Sequence, residues 1–490
     1  MTGDSASRIQ FWHQVFRPGQ WMLAKARSLD NSPWPLLWVA GLFLVQAIPA
    51  TIIRASNLEE GRIIALARGA AEDGHWITPF IYGERFPERP VLLSWITGLV
   101  GEATGGVTLW SLRIPHLAFF LAGAFLVYLL VKTQAGKAAA IFGAFSWISM
   151  PLVAPKFINA EPEIVLSVLL FAAFYVWWIG TSKESMNVSR WLSVAVLVAL
   201  AGLTKGPQPA AYFGLGVGVY LLLKDRKQIP AFLITNLLAG LVIAAWYFAV
   251  HQQKGDIDLW LAHSRLKVVV ELDWWHDHTD FLKSIIVETL PASILIVPSV
   301  TIVLRQRRRP KHDLLLAALC YSTVTTIVLL LWPGGVSARY AMPATMTLAV
   351  ICGLTFEQWR DHQARVVVCA FLITYLIYGG LIIRGWIIMP FWPHLFQQSQ
   401  IAGRTIAAAV PSQQLLYVIG HTTDPNMLVY VRAPISAVTL DHLATIQAPA
   451  WAVLLPHERD HLAQKHLLLD IGEARFARTT FKIVRILPSG

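Results

Sequence analysis

What most limits this chain is the recurrence of membrane-length apolar runs along its first four-fifths. Eleven can be read, at about 35–53, 111–131, 138–153, 162–181, 191–204, 208–223, 229–250, 284–304, 313–332, 342–358 and 366–384. Each is read as a helix crossing a hydrocarbon core about 30 Å thick. Charge agrees: only 14% of the 490 residues are Asp, Glu, Lys or Arg, against roughly a quarter in soluble domains. The chain reads as an all-α polytopic membrane protein with about 11 transmembrane helices. Its net charge of +11 is spread along the chain, which argues against nucleic acid as a partner. Cys320, Cys352 and Cys369 all fall in apolar runs and read as small buried hydrophobes.

Lys and Arg fix the expected orientation. With a cytoplasmic N-terminus, the short inner loops hold Lys132, Lys137, Lys183, Arg190, Lys224, Arg226, Lys227, Arg305, Arg307, Arg308, Arg309, Lys311, Arg360 and Arg365, as the positive-inside rule requires. The outer segments then carry most acids of the membrane part, among them Glu59, Glu60, Glu72, Asp73 and Glu161. They also hold Arg54, Arg62, Arg68, Arg85, Arg89, Lys156, Lys205 and Arg339. Positive charge on that side runs against the bias, and an anionic ligand is a natural reason for it.

Three parts follow. Residues 1–34 are a cytoplasmic segment, either a plain tail or an interfacial helix in which Phe11, Trp12 and Trp21 alternate with basic residues. Residues 35–395 form the membrane domain, including an outer loop at 54–110 whose aromatics suit helices lying in the interface plane. Residues 396–490 contain β-like runs ("QQLLYVIG", "ISAVTL", "AWAVLLP", "FKIVRILP") and a helix-like "HERDHLAQKHLL", which reads as a small extracytoplasmic α/β domain.

"SNLEEGRIIALARGAAEDGHW" reads as a helix starting near Asn57, with Asn57 and Glu60 as a capping box. Glu59 and Arg62 share a face at i, i+3, so a simple ion pair would account for them. Glu161 and Glu163 open a span, where acids favour the helix dipole. His276, Asp277, His278 and Asp280 have a spacing that suits a divalent metal ion; a wet interfacial loop explains them equally. No cofactor is otherwise indicated.

"LEEGRIIALARGAAEDGHWITPFIYGERFPERPVLLSWI" resembles the opening motif of the GT-C fold glycosyltransferases that use polyprenyl-phosphate sugars, a group that includes aminoarabinose and galacturonic acid transferases and protein O-mannosyltransferases. "LWSLRIPHLAF" (Arg113), "FINAEPEIVLS" (Glu161), "GLTKGPQPA" (Lys205), "HSRLKVVVELDWWHDHTDFLKSI" and "GGVSARYAMPATMTLAV" (Arg339, Tyr340) resemble later motifs in the same order. The resemblance covers about residues 35–385. It implies an inverting transferase of the bacterial inner membrane, working on the periplasmic side on lipid A, lipopolysaccharide core, another glycan or a protein. It places Glu59 where the family has a catalytic Asp, one methylene shorter, and Glu161 at a second acidic position.

For such a donor, Arg62, Arg89, Lys205 and Arg339 are the candidates to hold the polyprenyl phosphate, with a hydrogen bond from Tyr340. Snorkelling anchors are the bland alternative. Two other functions compete: a transporter or lipid flippase, and a lipid-linked glycan ligase or polymerase. Span interiors nearly free of charge weigh against transport.

Overall fold

The computed structural model describes residues 21, 25, 28–88, 90–182, 187–251, 253, 274–305, 313–332, 335–359, 365–420, 422–446 and 449–488. Most of the interfacial helix considered for the N-terminal segment, Arg89, and parts of the basic inner loops lie outside these residues.

Helices occupy all eleven expected places: α1 (Pro35–Ile53), α4 (Leu109–Lys132), α5 (Lys137–Ser149), α6 (Pro162–Ser182), α7 (Val188–Lys205), α8 (Gln208–Lys224), α9 (Ile229–Val250), α11 (Ala292–Arg305), α12 (Leu314–Leu330), α13 (Met342–Trp359) and α14 (Arg365–Ile383). The count of eleven spans is not confirmed. By length and composition seven of the described helices can cross a membrane, or eight if one bent pair counts as a span. That pair is α10 (Trp274–Glu288) and α11, bent by 85° where an unbroken span at 284–304 was expected. α8 and α12 have 17 residues each, and α5 only 13. The chain is a multi-pass membrane protein.

α5 is the shortest of these helices. All of its residues after Lys137 are buried against other helices, and a helix apolar on every side belongs inside a bundle. Gly143 and Gly353 let α5 and α13 come close: a Cβ on Gly143 would lie 3.1 Å from the Ala349 carbonyl oxygen, and one on Gly353 2.9 Å from that of Ala139. Trp147 closes the contact by donating from Nε1 to Thr345 Oγ1 at 3.0 Å. At its N-terminus, Asp30 Oδ1 accepts the Ala138 N–H (2.9 Å) and Glu357 Oε2 that of Gly136 (3.1 Å). These acids satisfy the orphan donors of a helix that starts on glycine.

The 54–110 loop folds into α2 (Glu60–Ala71), a small hairpin of β1 (Phe80–Ile81) and β2 (Glu84–Arg85), and α3 (Leu92–Thr104). Helix direction then gathers the site. α1 and α7 end, and α4, α6, α8 and α13 begin, at the end of the bundle where α2 lies, whereas Lys132 and Lys137 lie at the other.

The C-terminal unit opens with α15 (Gln398–Ala409). It continues with β3 (Leu416–Ile419), β4 (Ile435–Val438), β5 (Ala450–Leu454), α16 (Pro456–Ala463), β6 (Leu467–Phe476) and β7 (Thr479–Leu487) in one sheet of order β4-β3-β5-β7-β6. β3 pairs in parallel with β4 and β5, and β7 antiparallel with β5 and β6. β6 occupies residues for which no strand was expected, beginning where a helix-like run was read. The unit is tied to the 54–110 loop: the Ala437 N–H donates to the Tyr82 carbonyl at 2.7 Å, extending β4 towards the hairpin turn.

Candidate active site

The site begins at the first turn of α2. Glu60 is fully buried, and its carboxylate receives both Nε and Nη2 of Arg113 at 2.9 Å, a two-pronged pairing that only Arg geometry provides. Arg113 also donates to the carbonyls of Thr51, Arg54 and Ala55 (2.8, 2.8 and 3.1 Å), satisfying the chain end left open where α1 stops. Glu60 accepts the N–H groups of Asn57 and Ala160 as well, each at 3.2 Å. The expected capping box is therefore half formed. Glu60 reaches back to the Asn57 N–H, while the Asn57 side chain donates to Asn159 Oδ1 (3.4 Å) and caps nothing.

One residue earlier is about 100° around the helix axis, so locking Glu60 inward turns Glu59 outward. Glu59 Oε2 lies 3.0 Å from Arg62 Nη1, and both line a cavity of about 340 Å³. Glu163, Lys205, Arg339 and Tyr340 line the same cavity, with Leu66, Leu93, Val328, Leu329 and Trp332 forming apolar wall. Lys205, the last residue of α7, places Nζ 2.6 Å from Glu163 Oε1 and 4.8 Å from the centre of the Tyr340 ring. The Arg339 guanidinium lies 5.4 Å from that ring. Tyr340 therefore meets two cations through its electron-rich face.

Of the residues singled out from sequence, Glu59, Arg62, Lys205, Arg339 and Tyr340 come together. Arg89 lies outside the described residues, although its neighbours Glu88 and Pro90 line the cavity. Glu161 is not on the wall. It is buried beside Lys156, which donates to its carboxylate, and burial together with Glu163 pushes its carboxyl above the ordinary value. Of the two acids that open α6, Glu163, read from sequence as helix-terminal charge, is the one that faces the cavity. The signal that could have found it is the cost of leaving Lys205 without a counter-charge between two apolar helices.

The histidines part company because 276–288 is helix, not loop. Residues two apart on a helix point some 200° apart. His276 is exposed, with Nδ1 3.3 Å from Asp280, while His278 is buried with a ring nitrogen 3.1 Å from the Trp332 carbonyl. Among the described residues, no three His, Cys, Asp or Glu side chains are placed to hold a metal ion.

The C-terminal unit reaches the same turn. Leu58 is left-handed (φ 50°), an unusual conformation for a residue with a Cβ. Its carbonyl accepts from Asn426 Nδ2 at 3.0 Å, while Asn426 Oδ1 accepts the Gly61 N–H (3.0 Å) and the Ser56 hydroxyl (2.7 Å). The Ser56 N–H donates to the Tyr430 hydroxyl (2.7 Å), and the Ser399 hydroxyl to the Ser56 carbonyl (2.5 Å). Nothing in the sequence pattern pointed to Asn426.

Residues 88–261 match the family model of dolichyl-phosphate-mannose-protein mannosyltransferases. An undecaprenyl phosphate-alpha-4-amino-4-deoxy-L-arabinose arabinosyl transferase of Pseudomonas fluorescens is 23% identical over 324 residues, covering 62% of this chain and 54% of the relative. One from Pseudomonas paraeruginosa is 25% identical over 344 residues, covering 68% and 60%. The chain thus spans a little over half the length of these curated relatives. The crystal structure of ArnT from Cupriavidus metallidurans bound to undecaprenyl phosphate superimposes with a TM-score of 0.71 at 16% identity, over 92% of this chain and 98% of that one. The chain has the fold of that transferase, and the GT-C resemblance read from its sequence holds.

Proposed function

We propose that this chain, which carries the GT-C fold, is an inverting glycosyltransferase of the bacterial inner membrane that moves a sugar from a polyprenyl phosphate to an acceptor on the periplasmic side. Lipid A, lipopolysaccharide core, another glycan or a protein fits as acceptor. The observation that carries this reading is the single cavity holding Glu59 together with Arg62, Lys205, Arg339 and Tyr340.

The roles follow from charge. The apolar wall suits the first isoprene units of the donor, and the cations its phosphate. As the acceptor oxygen forms its bond to the anomeric carbon, the bond from that carbon to the phosphate oxygen breaks, and its electron pair leaves on the polyprenyl phosphate. Lys205 and Arg339 stabilise that growing charge. Glu163, 2.6 Å from its Nζ, holds Lys205 in place. If the acceptor is a hydroxyl, its proton passes to Glu59 as general base. If it is a phosphate monoester, already ionised, Glu59 positions the substrate and takes no proton.

Purified protein incubated with radiolabelled undecaprenyl-phosphate sugar and outer-leaflet lipid or glycan extract should release undecaprenyl phosphate in step with label entering the acceptor. Sugar-independent movement of lipid across vesicles, with no label transferred, would overturn the proposal in favour of transport.

A further inference from the structure

α2 separates two cavities. Glu59, Arg62, Ile63 and Leu66 face the one described above, whereas Ala65, Arg68, Gly69 and Glu72 face another of about 1020 Å³, between α2, the start of α4 and the C-terminal unit. This second cavity has an excess of positive charge. Arg54, Arg68, Arg113, Arg404 and Arg432 line it, against Glu72 and Asp73 at the end of α2.

Two of these arginines are committed. Arg113 holds Glu60, and Arg68 donates to the carbonyls of Leu428 (3.3 Å) and Val429 (2.9 Å). The Arg54 side chain, in contrast, has no hydrogen-bond or ion-pair partner among the described residues, and the same holds for Arg404 and Arg432. Burial draws the Arg54 guanidinium down to about 10, with Glu60 opposing and Arg384 and Arg113 adding to the fall. It still carries its charge at neutral pH, and the buried carboxylates that act on it, Glu60 and Glu161, are already held by Arg113 and Lys156. A half-buried cation with its counter-charge already taken is costly unless an anion joins it.

The rest of the lining favours such a ligand. Gly105 and Gly106 (φ 83° and 148°) turn into α4 with open space where side chains would stand. The positive end of the α4 dipole lies at the cavity wall through Val107, Thr108 and Leu109. Ile52 and Trp110, both exposed and at the ends of the α1 and α4 spans, supply an apolar side where an acyl chain can lie.

We propose that this second cavity binds a phosphate-bearing anion at Arg54 and Arg404, separately from the donor cavity. A lipid headgroup and free phosphate share the chemistry, and the test distinguishes them. In native mass spectrometry, the full-length protein is released from detergent after exposure to equal amounts of phosphatidylglycerol and phosphatidylcholine. Its melting temperature is measured in parallel with inorganic phosphate. Retention of phosphatidylglycerol over phosphatidylcholine, falling about tenfold in Arg54→Gln/Arg404→Gln, supports a lipid headgroup. A phosphate-dependent rise in melting temperature that the double variant loses, without lipid discrimination, supports the site with free phosphate as its ligand. If the double variant does not fold, Arg404→Gln alone decides, since that side chain is exposed. Equal effects in wild type and variant overturn the proposal, as does a phosphatidylglycerol preference abolished by Lys205→Ala, which would put the anion in the first cavity.

Discussion

A Cβ on Gly61 would lie 2.5 Å from the backbone nitrogen of Asn426, a residue of the C-terminal unit. No side chain fits there, so the last unit of the chain is seated directly on the first turn of α2. Gly61→Ala is expected to force the two apart, at about 1–3 kcal/mol. Asn426→Ala leaves the Gly61 N–H and the Leu58 carbonyl unpaired, at about 1–3 kcal/mol. Both variants should melt earlier and be cut by protease between residues 392 and 398 sooner than wild type. Unchanged melting in both would show that the contact does not hold the unit.

Arg113→Ala removes one member of a buried pair and exposes three carbonyls to an apolar surround. A loss of about 3–5 kcal/mol is expected, read as reduced yield of folded protein and a lower denaturation midpoint. Arg113→Lys should rescue little, because an ammonium cannot make the two-pronged contact with Glu60 while reaching Thr51, Arg54 and Ala55.

Lys205→Ala should abolish sugar transfer, and Glu163→Gln should weaken it. Because their charged atoms lie 2.6 Å apart, the two losses should not add: a double-mutant cycle on transfer rate is expected to show a coupling of about 0.5–3 kcal/mol. Additive losses would mean that Glu163 does not act through Lys205.

Glu59→Gln separates acceptor classes. With a hydroxyl acceptor, turnover should fall by about 10²–10⁴-fold while KM holds. With a phosphate acceptor, turnover should stay within about tenfold, since no proton has to be taken up. Melting temperature should hardly move in either case, as the Glu59–Arg62 pair is only partly buried and such pairs contribute about 0–1 kcal/mol.

The two histidines should behave differently. His276→Ala removes an exposed side chain and should leave both transfer and stability near wild type. His278→Ala should lower the melting temperature, because the Trp332 carbonyl at the cavity wall loses its hydrogen bond with the buried imidazole.

Much of the fold could be read ahead of the structure, because apolar composition and charge asymmetry act locally. Helices stand at every expected position, and four expected strands of the C-terminal sheet are present at 416–419, 435–438, 450–454 and 479–487. What failed depended on neighbours. Hydropathy alone does not decide whether α5 spans, because a helix surrounded by protein and one surrounded by lipid both need apolar side chains on all faces. The bend between Glu288 and Ala292 is invisible to hydropathy, which does not register direction. β6 carries Asp470, Glu473 and Arg475 among its apolar residues, which blurs the strand signal. In the site, Lys205, Arg339 and Tyr340 were recognisable as charged or aromatic groups at span ends. Glu163 could be assigned only once its partner was seen, and Asn426 not at all, since its hydrogen bonds bridge 365 residues of chain.

That long bridge has a consequence for biosynthesis. At about 5–20 residues per second, the ribosome reaches Asn426 roughly 20–70 s after Gly61. Until then the turn that bears Glu59 has no support from the unit that later holds it. The turn therefore takes its final form only after the C-terminal unit has been made and folded against it.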